Sequence, residues 1–192
     1  MQVNATPNRR LVVGISGASG VAYGIRLLQV LRQIEVESHL VMSKSAQVTL
    51  AHESSYSVAD VKALASVSYA NTDIGAAISS GSFPALGMVV APCSIRTLSE
   101  VATGVTSSLL SRAADVTLKE RRRLVLMVRE TPLHLGHIRS MASATEAGAI
   151  IYPPVPAFYA NPQTIEEMID HSIGRVLDLF GLETSLVRRW GT

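Results

Sequence analysis

Apolar residues in this chain fall into short unbroken runs separated by stretches with helical spacing. Leu11-Val-Val-Gly-Ile15, His39-Leu-Val-Met42, Gly87-Met-Val-Val-Ala91, Leu124-Val-Leu-Met-Val128 and Ala149-Ile-Ile-Tyr152 are the runs. Continuous rather than alternating hydrophobicity marks strands covered on both faces, as in a parallel sheet. Between them the spacing predicts helices over about 21–33, 45–54, 58–65, 97–101, 107–122 and 142–147. A final helix is expected to open at Asn161-Pro162, as N-cap and first-turn proline. It would turn Ile165, Ile169, Ile173, Val176, Leu177 and Phe180 to the core and stop at Gly181. Residues 66–86 are the least regular part, and the prolines of Pro153-Pro-Val-Pro-Ala-Phe-Tyr159 give a rigid loop.

Strands alternating with helices predict a three-layer, Rossmann-like (flavodoxin-like), doubly wound parallel sheet. The expected organisation is one domain over 11–182, a disordered or extended segment over 1–10, and a tail over 183–192. The tail, Val187-Arg-Arg-Trp-Gly191, reads either as a frayed end or as a segment docking on a neighbouring subunit.

Composition narrows the function classes. A net charge of +2 gives no reason to expect nucleic acid or an anionic membrane as partner. Charged residues are only 17%, below the roughly 25% usual for soluble domains, which points to subunit interfaces. One cysteine, Cys93, excludes an internal disulfide and fits a reducing cytosol. No run is long enough for a signal-peptide core or a membrane span, so a cytoplasmic protein is expected.

The strand ends carry the chemistry. In open α/β sheets ligands bind beyond the carboxyl ends of the strands. The loop after the first strand, Ser16-Gly-Ala-Ser-Gly20, can approach a phosphate closely at a helix N-terminus. It lacks the Gly-Lys-Ser/Thr of a P-loop and fits the dinucleotide fingerprint poorly. The second strand ends in Ser43 rather than a ribose-binding acid, which favours a mononucleotide such as FMN over NAD. Ser94 through Thr97 and Arg129-Glu130 are further polar ends, although any one serine or threonine can simply cap the next helix.

Arg112 and Lys119 lie seven residues apart and share a helix face, followed by Arg129 at a strand end and Arg175 on the last helix. Such cations suit a small, highly charged anion, with phosphate the first candidate. Local ion pairs, Arg112 with Asp115 and Lys119 with Glu120, are the plainer reading. Cys93 reads better as a small buried residue than as a nucleophile. His134 and His137 have a metal-compatible spacing but no clustered third ligand.

Several motifs occur together and in order: Gly14-Ile-Ser-Gly-Ala-Ser-Gly20, Met42-Ser-Lys44, Ser80-Gly-Ser82, Pro92-Cys-Ser94, Arg112-Ala-Ala-Asp-Val-Thr-Leu-Lys119, Arg129-Glu-Thr-Pro-Leu133, Pro153-Pro-Val-Pro-Ala-Phe-Tyr159 and Arg189-Trp190. By these the chain resembles the UbiX-type flavin prenyltransferases from Leu11 to its end. The resemblance implies an FMN-binding enzyme that assembles as a dodecamer built of trimers. It implies transfer of a dimethylallyl group from dimethylallyl monophosphate to reduced FMN, at N5 and C6, closing a fourth ring without a metal. The product would serve a UbiD-type decarboxylase, with ubiquinone biosynthesis as a setting.

By position, the resemblance places FMN against Gly17, Ala18, Ser19, Ser43, Ser94, Ile95, Arg96, Thr97 and Arg129. It places the prenyl phosphate against Lys119, Glu130, Tyr159 and Arg175, with Arg112 nearby at a subunit interface. Ser19 and Glu53 would assist proton movement, and Trp190 would help form the site. The implied metal-free reaction gives the cations a purpose, since a leaving phosphate needs preorganised positive charge and no Asp-Asp-x-x-Asp motif is present to hold Mg²⁺. Arg123 and Ser107-Ser108 depart from the residues usual in the family. Flavin-dependent cysteine decarboxylases, the nearest rivals, carry Pro-Ala-Ser-Ala-Asn-Thr where this chain has Pro92-Cys-Ser-Ile-Arg-Thr97. A direct aromatic-acid decarboxylase and a non-enzymatic FMN carrier also compete.

Overall fold

The buried runs become strands in the computed structural model, which describes residues 9–191. The segment expected to be disordered or extended over 1–10 lies almost wholly outside the described residues. In chain order the elements are β1 (Arg10–Ile15), α1 (Val21–Gln33), β2 (Glu37–Met42), α2 (Lys44–Glu53), α3 (Val58–Leu64), β3 (Val67–Tyr69), β4 (Gly87–Cys93), α4 (Ile95–Thr103), α5 (Leu109–Lys119), β5 (Arg123–Val128), α6 (Leu135–Glu146), β6 (Ile150–Ile151) and α7 (Ile165–Asp178). Single 3₁₀ turns form at Ala77–Ser79 and Phe158–Ala160.

All strand pairs are parallel and the sheet order is β3-β2-β1-β4-β5-β6. This is the expected doubly wound, three-layer arrangement. Alternate residues of each strand feed opposite layers. Leu11, Val13 and Ile15 of β1 pack with α1 and α7, while Val12, Met88 and Val90 pack with α4 and α5. The strand order reverses between β1 and β4, so the carboxyl ends of these strands diverge into a crevice.

Some boundaries differ from expectation for local reasons. Strand β4 continues through Pro92 to Cys93, and its register with β5 is irregular between Val90 and Cys93. A short strand, β3, forms inside the stretch expected to be irregular, as an edge pairing with β2. Helix α6 starts at Leu135 because the His134 ring caps it, accepting from the Gly136 amide at 3.0 Å. That ring also stacks near His137, with centroids 3.5 Å apart. The last helix opens at Thr164, whose side chain accepts from the Glu167 amide. Asn161 cannot cap it, since its φ of 48° closes the preceding 3₁₀ turn and an N-cap needs extended backbone.

Candidate active site

Two groups of residues gather at the carboxyl edge of the sheet, and a third lies along α7. The first surrounds a cavity of about 520 Å³ lined by Gly17, Ser43, Ser94, Arg96, Thr97 and Ser108. The Ser43 side chain accepts from the Ala46 amide at 3.0 Å, and that of Ser94 from the Thr97 amide at 3.3 Å. Ser108 caps α5 in the same way, within a reciprocal pair with Ser111. The plain capping reading therefore holds for each. Yet the amino ends of α2, α4 and α5 converge on one cavity, and each carries positive partial charge. Helix capping and anion attraction come from the same residues.

Ser16, inconspicuous in the sequence because it adjoins the glycine loop, fixes this geometry. Its buried hydroxyl donates to the Pro92 carbonyl at 2.8 Å and accepts from the Ser94 amide at 2.7 Å. It thereby staples the β1 loop to the end of β4 across the switch point. Its position as the last polar residue before Gly17 is the one signal the sequence holds. Gly17 is needed because a Cβ there would lie 2.3 Å from that of Ser45.

The second group joins Ser19, Glu53 and Arg129. One Glu53 oxygen accepts from the amides of Gly20, at 2.8 Å, and Val21, at 3.0 Å. Gly20 caps α1 but has no side chain to do so, and Glu53 supplies the acceptor. Burial raises the Glu53 pKa, but hydrogen bonds from Ser19 and both amides, with the charge of Arg129, hold it below the usual range. Tyr23 stands beside this group; burial pushes its hydroxyl up against the opposing charge of Arg129. Arg129 is positioned through its amide, which donates to the Cys93 carbonyl at 3.2 Å. Burial pushes the Cys93 thiol far up, which suits a packing residue and not a nucleophile.

The third group lies toward α7. The Tyr159 hydroxyl is 3.3 Å from His171 Nε2, and its ring meets Trp190 edge to face at 5.3 Å. The charge of Arg175 reaches Tyr152, whose hydroxyl burial nonetheless pushes up. Tyr159, Arg175 and Trp190 are exposed, with Trp190 at 81%. Glu130 is exposed immediately after Arg129.

Lys119 does not join these groups within one chain, whereas Arg112 lies in the first turn of α5, its amide donating to the Ser108 carbonyl at 2.9 Å. Helix α5 runs back from the carboxyl edge to the amino edge, where β5 begins. Lys119 therefore sits beside Gly81, whose added Cβ would lie 2.7 Å from its Nζ. From the start of β5 to Arg129 is about 20 Å at roughly 3.3 Å per residue. Each cation makes the local pair that spacing allows, Arg112 with Asp115 at 2.7 Å and Lys119 with Glu120. A crossover helix antiparallel to its strand thus keeps its first turn, with Arg112, near the carboxyl edge and carries its last residue, Lys119, away from Arg129.

Comparison with known proteins fits this geometry. The flavoprotein family model matches residues 2–177. The flavin prenyltransferase UbiX of Thauera aromatica is 57% identical over 181 residues, covering 94% of this chain and 93% of its own length. That of Escherichia coli (strain K12) is 58% identical over 185 residues, covering 95% and 98%. The chain belongs to the UbiX-type flavin prenyltransferase family. Among solved relatives of this family, AnUbiX (PadA1) in complex with FMN and dimethylallyl pyrophosphate superposes with a TM-score of 0.94 at 51% identity, covering 96% of this chain and 98% of that one. A dodecameric FMN-dependent UbiX-like decarboxylase from Escherichia coli O157:H7 gives 0.92 at 48%, covering 95% and 100%. The cysteine decarboxylase TvaF, at 17% identity and a TM-score of 0.62, shares the fold alone. No helix among the described residues is long and apolar enough to cross a membrane.

Proposed function

We propose that this enzyme transfers a dimethylallyl group from dimethylallyl monophosphate to N5 and C6 of reduced FMN, without a metal ion. The observation that carries the reading is the cavity onto which three capped helix amino ends converge, next to the Ser19–Glu53–Arg129 group. That donor set suits a phosphate monoester and offers no acid at the end of β2 for a second ribose. FMN would contact Gly17, Ala18, Ser19, Ser43, Ser94 through Thr97, and Arg129. When bound and reduced, FMN supplies the nucleophilic ring system that accepts the allyl group.

The chain's own residues do the rest. Arg175 and Tyr159 present an exposed cation and hydroxyl to the prenyl phosphate, and Glu130 orients the cations around it. Arg112 and Lys119 reach the phosphate from the α5 face of a second copy, so the site is completed by assembly, here taken to be a dodecamer. Their local ion pairs are exposed and hold weakly, which leaves them free to exchange carboxylate for phosphate. Aromatic faces at Tyr159 and Trp190 stabilise positive character on the departing allyl group. Ser19 and Glu53 move the proton as phosphate leaves and the ring closes.

We take residues 11–182 as the catalytic domain, 183–192 as its tail, the cytoplasm as its location, and a UbiD-type decarboxylase as recipient of the product. Anaerobic incubation with reduced FMN and dimethylallyl monophosphate, without Mg²⁺, is expected to yield a heavier flavin by mass spectrometry. Recovery of unchanged FMN would sink the proposal.

A further inference from the structure

Asp178 ends α7 in a position that helix energetics disfavour, because a carboxylate opposes the negative carboxyl end of the helix macrodipole. What holds it there is a pair of arginines. Its Oδ2 accepts from Arg175 Nη1 at 2.7 Å and from Arg189 Nη1 at 3.1 Å, and its Oδ1 accepts from Arg189 Nη2 at 3.0 Å. The carboxylate is only 16% exposed, whereas Arg175 and Arg189 are 46% and 51% exposed. Burial raises its pKa, but the hydrogen bonds and charges of both arginines outweigh burial and keep it below the usual range.

An independent feature shows that the tail is seated on the same helix. A Cβ on Gly174 would meet Val187 Cγ2 at 2.5 Å, Leu186 Cβ at 3.1 Å and Thr184 Oγ1 at 3.2 Å. Gly174, adjoining Arg175, is thus a slot cut for residues 184–187. Beyond the slot, Arg188 Nη1 donates to the Ala160 carbonyl at 2.9 Å, and Trp190 reaches Tyr159. The tail runs from Gly174 over the arginine pair to the turn that carries Tyr159.

We propose that Asp178 is a positioning residue that locks the tail and the Arg175 guanidinium together, setting them as one clamp for the prenyl phosphate. This rests on the assignment of Arg175 to the phosphate made above. An arginine held through one edge presents its remaining N–H groups in a fixed direction, so less freedom is lost when an anion arrives. The shared carboxylate also means that Arg175 and the Tyr159–Trp190 pair adopt their places in one step.

The test uses the assembled, FMN-loaded protein and three variants, Asp178→Asn, Asp178→Glu and Arg189→Gln. The last changes a half-exposed tail residue and leaves the core intact. Asp178→Asn and Arg189→Gln are expected to raise KM for dimethylallyl monophosphate by roughly tenfold with little change in kcat, the signature of lost binding in ground and transition states alike. FMN affinity should be unchanged, and Asp178→Glu should recover most of the loss. Tryptic cleavage after Arg188, followed by intact mass, should accelerate in step with KM. An unchanged or lowered KM alongside faster cleavage would overturn the proposal, leaving Asp178 as a tail anchor only. Unchanged cleavage would also overturn it, since the tail would then not depend on Asp178. A wild-type protein that makes no prenylated flavin would sink the reading of Arg175, and this inference with it.

Discussion

Glu53 serves two purposes at the residue scale. Its carboxylate substitutes for the side chain that Gly20 lacks at the start of α1, and it faces Ser19 and Arg129 at the candidate site. Gln retains an acceptor for the two amides but cannot take up and return a proton. Glu53→Gln should therefore bind FMN normally and form product about 100-fold more slowly, the scale of a lost acid–base group. Full turnover in a single-turnover mass assay would remove that role. The pH dependence has a defined sign. The native pKa lies below the ordinary carboxylate value, so the anchoring of α1 is complete above that ordinary value and fades as pH falls through the depressed one. Amide exchange at Gly20 and Val21 should accelerate, relative to the rest of α1, across that acid window. Neither Ser16 nor Tyr23 stands out in the sequence, since a serine before a glycine loop and a tyrosine on a helix are common, and their importance comes from what folds against them.

At the scale of elements, the capping and ligand-binding readings of Ser43 and Ser94 are compatible. A cap satisfies one amide of the first turn and leaves others, with their partial charge, facing the cavity. Ser94→Ala should lower stability by about 1 kcal/mol, the usual cost of a lost N-cap, and weaken FMN binding several-fold. Urea unfolding and FMN titration read the two effects, and FMN affinity unchanged despite lost stability would confine Ser94 to its helix. Element boundaries are legible where one signal stands alone, as at α1, and less so where signals compete. Asn161-Pro162 and Thr164 are both sound helix starts in sequence. The left-handed backbone of Asn161, imposed by the turn before it, selects Thr164. The first turns of α6 escape the sequence pattern because histidine is an uncommon cap.

At the scale of the whole molecule, one chain places Arg175 on α7 and Lys119 on α5, helices packed on opposite faces of the sheet, so a site that used both cations would draw on a second copy. Lys119→Ala and Arg175→Ala should each abolish most activity alone. Co-expressed at equal ratio, they should restore about a quarter of wild-type turnover, because random assembly makes one site in four from two intact faces. No recovery in mixed oligomers would show that one chain supplies both groups. The sequence by itself determined the layers, the parallel sheet and the polar strand ends, because buried runs, helical periodicity and turn residues are local properties. Its resemblance to a known family named candidate site residues, but not their partners in space. Only the tertiary structure decided that Ser16 staples the switch point, that Glu53 caps a helix 33 residues back along the chain, and that Asp178 joins Arg175 to the tail. It also set Lys119 beside Gly81, at the opposite end of β5 from Arg129. Nearness along the chain gives way to nearness across the sheet, which is set by strand order and by the return direction of each crossover helix.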